Sequence, residues 1–264
     1  MTARDRARGL FVGAVAGLAG GLFGVGGGLV LVPMLTGGFG LTQHRAHGTS
    51  LAVIGATAIA ALFVYGAHAN VQWATAAAVA VGSIVGAPLG ARWAGATSAA
   101  GLRRAFAAFL VLVAFRLLWD APVVRGAAAL AGPGALAFDV AVGIASGTLA
   151  GFMGVGGGIL MVPAFTLAFG MTQQQAQGTS LAVILVTGPV AALAHSRRGN
   201  VAWGLAPALA IGAALGAPAA AWAAQVLPRA WLGRAFALFL LASAVHMWTR
   251  KPRAAPPGPT ASES

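Results

Sequence analysis

Gly21-Leu22-Phe23-Gly24-Val25-Gly26-Gly27-Gly28 returns 130 residues later as Gly151-Phe152-Met153-Gly154-Val155-Gly156-Gly157-Gly158. Each copy lies inside a long apolar block, roughly residues 9 to 41 and 136 to 170. A continuous helix of that length would reach about 50 Å against about 30 Å of hydrocarbon, while two full spans need about 40 residues. The length therefore fits a pair of half-helices, broken or re-entrant, better than one span or two. Three consecutive glycines write the break, because glycine adopts backbone conformations that a regular helix excludes. A proline, Pro33 or Pro163, follows each break five residues after its last glycine.

Working outward, the register at offset 130 holds without a gap. Gly48-Thr49-Ser50-Leu51-Ala52-Val53-Ile54 matches Gly178 to Ile184 at every position; Gly86-Ala87-Pro88 matches Gly216-Ala217-Pro218; Arg104-Ala105-Phe106 matches Arg234-Ala235-Phe236. Further apolar blocks run roughly 48 to 66, 74 to 95, 103 to 119, 178 to 194, 204 to 226 and 231 to 248. The chain reads as an all-α integral membrane protein of two homologous four-segment halves, each opening with a Gly-broken or re-entrant helix. The boundaries expected are a cytoplasmic N-terminus over 1–8, a first transmembrane repeat over 9–119, a linker over 120–135, a second repeat over 136–249 and a disordered tail over 250–264. The N-terminal basic residues and apolar run do not read as a signal peptide, for want of a convincing cleavage site.

The two halves differ in where they carry charge. Gln43-His44-Arg45-Ala46-His47 before the second block is basic, and its counterpart Gln173-Gln174-Gln175-Ala176-Gln177 is not; Arg197-Arg198 after the sixth block is basic, and Ala67-His68-Ala69 is not. Basic residues prefer the cytoplasmic side, so a swap between matching turns predicts inverted repeats. Three crossings per half, with re-entrant first segments, place Arg116, Arg125, Arg229 and Arg234 outside and the other 12 of the 16 basic residues inside, together with both termini. Arg234, matching Arg104, breaks the swap pattern. Trp73, Trp93, Trp119, Trp203 and Trp222 read as interface anchors.

Composition excludes much else. Hydrophobic residues make up 59% of the chain and charged residues 8%, too few to clothe a water-facing surface. Four acids and no cysteine leave little for carboxylate pairs, thiolates, metal sites or disulfides, so no enzyme, cofactor or metal is expected. The net charge of +12 lies between apolar stretches rather than on a polar face, which argues against nucleic acid. Position 29 is Leu and position 159 Ile where a dinucleotide fingerprint needs glycine, and the only lysine, Lys251, cannot serve a phosphate-binding loop.

What remains is an anion site made of backbone. A half-helix starting at mid-membrane points unpaired N–H groups and a positive dipole end at whatever lies beyond it. Gly24, Gly26, Gly27, Gly28, Gly154, Gly156, Gly157 and Gly158 are the candidate residues. Thr42 and Thr172, the latter in a capping box with Gln175, start the next helix and set Thr49, Ser50, Thr179 and Ser180 about 10 Å along it, at a depth suited to hydroxyl donors. These hydroxyls read equally well as bonds back to their own helix carbonyls. Glycines at four-residue spacing, such as Gly13-Gly17-Gly21 and Gly143-Gly147-Gly151, read as helix-packing positions. His44, His47, His68 and His195 are placed in solvated turns or a vestibule, and Asp139 at the membrane interface as the only acid in reach of a proton path.

These motifs resemble those of the sulfite exporter family TauE/SafE, also called the toluene-sulfonate uptake permeases. The resemblance covers about residues 9 to 248 and rests on the doubled Gly-rich segment with its proline and the doubled Gly-Thr-Ser. It implies a secondary transporter, commonly an exporter, of small sulfur-containing anions such as sulfite or organosulfonates. Alternating access at a mid-membrane anion site, a proton or sodium ion as coupling partner, a bacterial inner membrane and a homo-oligomer are further expectations. An anion channel and a membrane-embedded scaffold subunit are the competing readings.

Overall fold

A computed structural model describes residues 2–94, 99–119 and 133–249. Most of the expected linker and the whole expected tail lie outside these residues. Ten α-helices are described: α1 (Ala3–Phe23), α2 (Gly28–Gly38), α3 (Gln43–Ala67), α4 (Trp73–Trp93), α5 (Ala99–Leu118), α6 (Pro133–Met153), α7 (Gly158–Leu167), α8 (Gln173–Ser196), α9 (Ala206–Val226) and α10 (Arg229–Thr249). Six of them, α1, α3, α4, α6, α8 and α9, are long and apolar enough to cross a membrane. α1 begins inside the expected N-terminal segment, and α6 takes in the last three residues of the expected linker.

The helix starts follow from local chemistry. Thr42 accepts the Arg45 N–H, and Thr172 accepts the Gln175 N–H while the Gln175 side chain accepts the Thr172 N–H, closing a capping box. Thr2 and Asp5 form another at the start of α1. α1 stops because Gly24 turns left-handed, with φ 68°, and its N–H closes onto the Gly20 carbonyl.

Glycine stripes decide which helices touch. A Cβ at Gly13, Gly17 or Gly21 of α1 would strike the carbonyls of Leu209, Ala213 or Ala217 on α9. The constant step means that α1 and α9 run parallel in backbone contact, as small residues permit in lipid. Gly143, Gly147 and Gly151 of α6 meet Val79, Ser83 and Ala87 of α4 in the same way, and every one of these pairs is an α1–α9 pair shifted by 130. The interior is correspondingly rich in Ala and Gly, while Phe11, Phe63, Leu112, Leu215 and the five tryptophans at positions 73, 93, 119, 203 and 222 face outward.

The long helices α3 and α8 form the centre. Gly48 packs on His195 and on the Asn200 carbonyl, Gly178 packs on Tyr65 and on the Asn70 carbonyl, and Gly55 meets Pro189. These contacts run antiparallel, and the first two are related by the repeat offset. A helix packed antiparallel on its own repeat copy places the two-fold axis across both helices. α5 lies against α10 at the edge of the bundle.

At each break the chain doubles back. Gly27 packs on Ala16 and Gly20 of α1, and Gly157 on Ser146 of α6, after which α2 lies on α3 and α7 on α8. α1 and α2 therefore enter and leave by the end of the bundle at which α3 begins. Arg45, Arg92, Arg197 and Arg198 gather at that same end and Arg229 at the other, since Gln72 beside Thr179 and Ala202 beside Thr49 fix where α4 and α9 begin.

Candidate functional site: two glycine breaks between the central helices

Residues 24 to 27 and 154 to 157 meet between α3 and α8. A Cβ on Gly28 would lie 2.8 Å from Cα of Val155, and one on Gly158 2.7 Å from Cα of Val25, so the two breaks touch reciprocally. All of Gly24 to Gly28 and Gly154 to Ile159 are buried. Gly26 and Gly27 have φ of 73° and 81°, Gly156 and Gly157 of 83° and 76°. An L side chain in this region costs about 1–2 kcal/mol, so the sequence needs glycine here for conformation as well as for space.

α2 and α7 start at these points, with Gly27 and Gly157 as N-caps that offer no side-chain oxygen. The first bonds back to the caps come from Val30 and Leu31, and from Leu160 and Met161. The N–H groups of Gly26 to Leu29 and of Gly156 to Ile159 donate to no acceptor among the described residues. Two helix N-termini with unclaimed amides thus face the middle of the bundle from opposite directions, an arrangement that favours negative charge.

The walls come from one stripe of α3 and its copy on α8. His47 packs on Gly154, Ile54 on Gly26 and Gly156, and the Thr57 methyl on Gly20; on α8, Gln177 packs on Gly24 and Ile184 on Gly26 and Gly156. Ser50 falls on this stripe between His47 and Ile54, and Ser180 between Gln177 and Ile184. Both serines are fully buried, and their Oγ atoms meet no partner among the described residues. A buried hydroxyl left so costs about 1–3 kcal/mol, which a ligand would recover.

Thr49 and Thr179 point elsewhere. Thr49 donates to the Arg45 carbonyl and accepts the Ala202 N–H at 2.9 Å; Thr179 accepts the Gln72 N–H at 3.0 Å. They tie the approaches to α9 and α4 onto α3 and α8. The structure brings the eight glycines and two serines together and sends the two threonines to these junctions.

Sequence reasoning gave the residues at the far end of the stripe no part in holding the breaks. Tyr65 donates its hydroxyl to the Gly21 carbonyl, with Gln177 Oε1 also at 3.0 Å, and its counterpart His195 meets the Gly151 carbonyl through Nε2 at 2.8 Å. Each residue thus bonds a carbonyl in the last turn of a broken helix. His195 is 1% exposed and in the last turn of α8, whereas the sequence placed it in a turn, solvated or facing a vestibule. The spacing 47, 50, 54, 57 with its copy at 177, 180, 184, 187 was the available signal, but helical spacing alone does not say which stripe faces a break. Asp139 is half-buried near the start of α6, 15 residues or about 22 Å along that helix from Gly154. Among the described residues no group of three His, Cys, Asp or Glu could hold a metal.

A polytopic helical bundle whose buried centre is built from broken helices is the architecture of a membrane transporter. The chain belongs to the sulfite exporter TauE/SafE family, whose model matches residues 2–117 and 138–263. Among similar proteins, the "Probable membrane transporter protein YunE" of Bacillus subtilis is 31% identical over 78% of this chain and 83% of its own. A "Probable membrane transporter protein" of Xylella fastidiosa is 30% identical over 89% of this chain and 92% of its own, and one of Haemophilus influenzae 28% identical over 91% and 97%. No solved structure matches the chain.

Proposed function

We propose that this transporter moves small sulfur-containing anions, sulfite or organosulfonates, through the paired breaks by alternating access, and serves as an exporter in a bacterial inner membrane. The observation that carries the reading is the meeting of two unclaimed helix N-termini with the orphaned hydroxyls of Ser50 and Ser180. Amides and hydroxyls suit sulfonate and sulfite oxygens, and Ile54 and Ile184 suit the short apolar remainder of an organosulfonate. The two-fold across α3 and α8 supports alternation, since exchanging the arrangements of the two halves would turn an opening at one end into an opening at the other. The basic end of the bundle, with Arg45, Arg92, Arg197 and Arg198, is the cytoplasmic one in this reading, with both termini there. No nucleotide motif occurs in the sequence, so an ion gradient, the substrate's own gradient or a separate subunit would drive the flux.

The test is exchange of radiolabelled sulfite, sulfate, thiosulfate, methanesulfonate and taurine in proteoliposomes. Saturable exchange of sulfite or a sulfonate is expected, lost in Gly26→Val and Gly156→Val proteins that still insert. Non-saturating flux would mark a channel, and undiminished exchange in both variants would remove the anion from the amides.

A further inference from the structure

The two halves differ at the breaks in one chemical respect. In the first, the last turn of α1 is held by Tyr65 and Gln177: the tyrosine hydroxyl meets the Gly21 carbonyl and Gln177 Oε1, and Gln177 packs on Gly24. At the same positions of the second half stand His195 and His47. His195 meets the Gly151 carbonyl, its Cβ packs on Gly48 next to His47, and His47 itself packs on Gly154. Two imidazoles therefore converge on the last turn of α6, where the pseudo-symmetric place holds groups that do not titrate near neutral pH.

The hydrogen bond fixes the chemistry of His195. A carbonyl only accepts, so Nε2 carries the hydrogen and Nδ1 carries the lone pair in the neutral ring. Nδ1 is buried and meets no donor among the described residues. Among the described residues, the charged and titratable groups near this ring are His44 and His47 on α3 and Arg198 on α8 itself. No carboxylate is among them, and Asp139 lies far down α6. Among the described residues an imidazolium here thus has no counter-ion. An anion in the second break would supply one.

We infer that His195 is the proton-binding residue of the transport cycle, assisted by His47, and that an anion in the adjacent break and a proton on Nδ1 cross together. The inference rests on the anion-transport reading above. The step makes and breaks one N–H bond: Nδ1 takes a proton from water on the side to which the site is open and returns it to water on the other. By linkage, protonation strengthens anion binding by the same factor as the anion strengthens protonation. Net direction then follows from the two gradients, and an anion made in excess inside leaves with its proton.

The probes are methanesulfonate, taurine and thiosulfate, whose charges do not change between about pH 5 and 8. Exchange at equal pH on both sides tests transport alone; absence for every anion, sulfite included, would overturn the transport reading and this inference with it. Given exchange, an inward pH gradient is expected to concentrate a monovalent probe up to about tenfold per pH unit. His195→Tyr, which copies the first half, and the less bulky His195→Gln should lose accumulation, and the exchange they retain should no longer vary with pH, while His47→Gln should weaken accumulation. Wild-type protein in detergent should take up protons when the probe is added. Exchange indifferent to the pH gradient in the wild type, or accumulation retained in both His195 variants, would overturn the inference.

Discussion

Replacing Gly26 by alanine separates the conformational role of the break from the anion-binding role proposed for it. The residue has φ 73°, where an L side chain costs about 1–2 kcal/mol. The new methyl would stand 3.2 Å from Cβ of Ile54 and 3.4 Å from Cγ2 of Ile184, closer than most such contacts, adding on the order of 1 kcal/mol. Together these should lower the melting temperature of the solubilised protein by roughly 4–10 °C. The methyl would also crowd the face from which the amides of α2 are proposed to meet an anion. Losing one hydrogen bond to a charged group, about 1.5–3 kcal/mol, would weaken binding about ten- to a hundredfold. The control is Gly37→Ala, where a Cβ meets open space and the backbone is helical; it should leave both stability and affinity intact or gain up to about 1 kcal/mol. Thermal unfolding followed by intrinsic fluorescence reads the first effect, and half-saturation of exchange reads the second. An unchanged melting temperature would refute the left-handed turn at Gly26. A lowered one with unchanged half-saturation would refute anion binding at the amides.

Ser50→Ala and Ser180→Ala should raise the half-saturating anion concentration without lowering the melting temperature, because among the described residues the hydroxyls have no partner to lose; a stability loss with unaltered transport would reverse the assignment. Thr49→Val and Thr179→Val should do the opposite, costing about 1–3 kcal/mol of stability by stranding the Ala202 and Gln72 N–H groups, with unfolding curves as the readout. Gly17→Val, whose side chain would meet the Ala213 carbonyl, should prevent α1 from docking on α9, seen as loss of monodisperse protein in size-exclusion chromatography. In a chain without native cysteine, Arg45→Cys and Arg198→Cys should be labelled by an impermeant maleimide from one side of the membrane and Gln175→Cys from the other; labelling of all three from one side would refute the antiparallel placement of α3 and α8 in the bilayer.

Sequence alone determined what local physics controls. Block lengths set against the thickness of hydrocarbon required the interruptions at Gly24 to Gly28 and Gly154 to Gly158, and the capping threonines at 42 and 172 marked where α3 and α8 begin. Glycine every fourth residue gave the packing faces of α1 and α6, because close backbone approach needs a missing side chain whoever the partner is. Tertiary structure decided the partners: that α1 lies on α9 and α6 on α4, across the halves, follows from a two-fold that no single stripe reveals. It also separated residues that are neighbours in the chain, Thr49 onto an inter-helix junction and Ser50 onto the break, since successive helical positions differ by about 100° and only the packed bundle fixes which direction faces inward. His195 was misplaced for the same reason: one residue before the end of a helix, it reads as surface until α6 is laid against it.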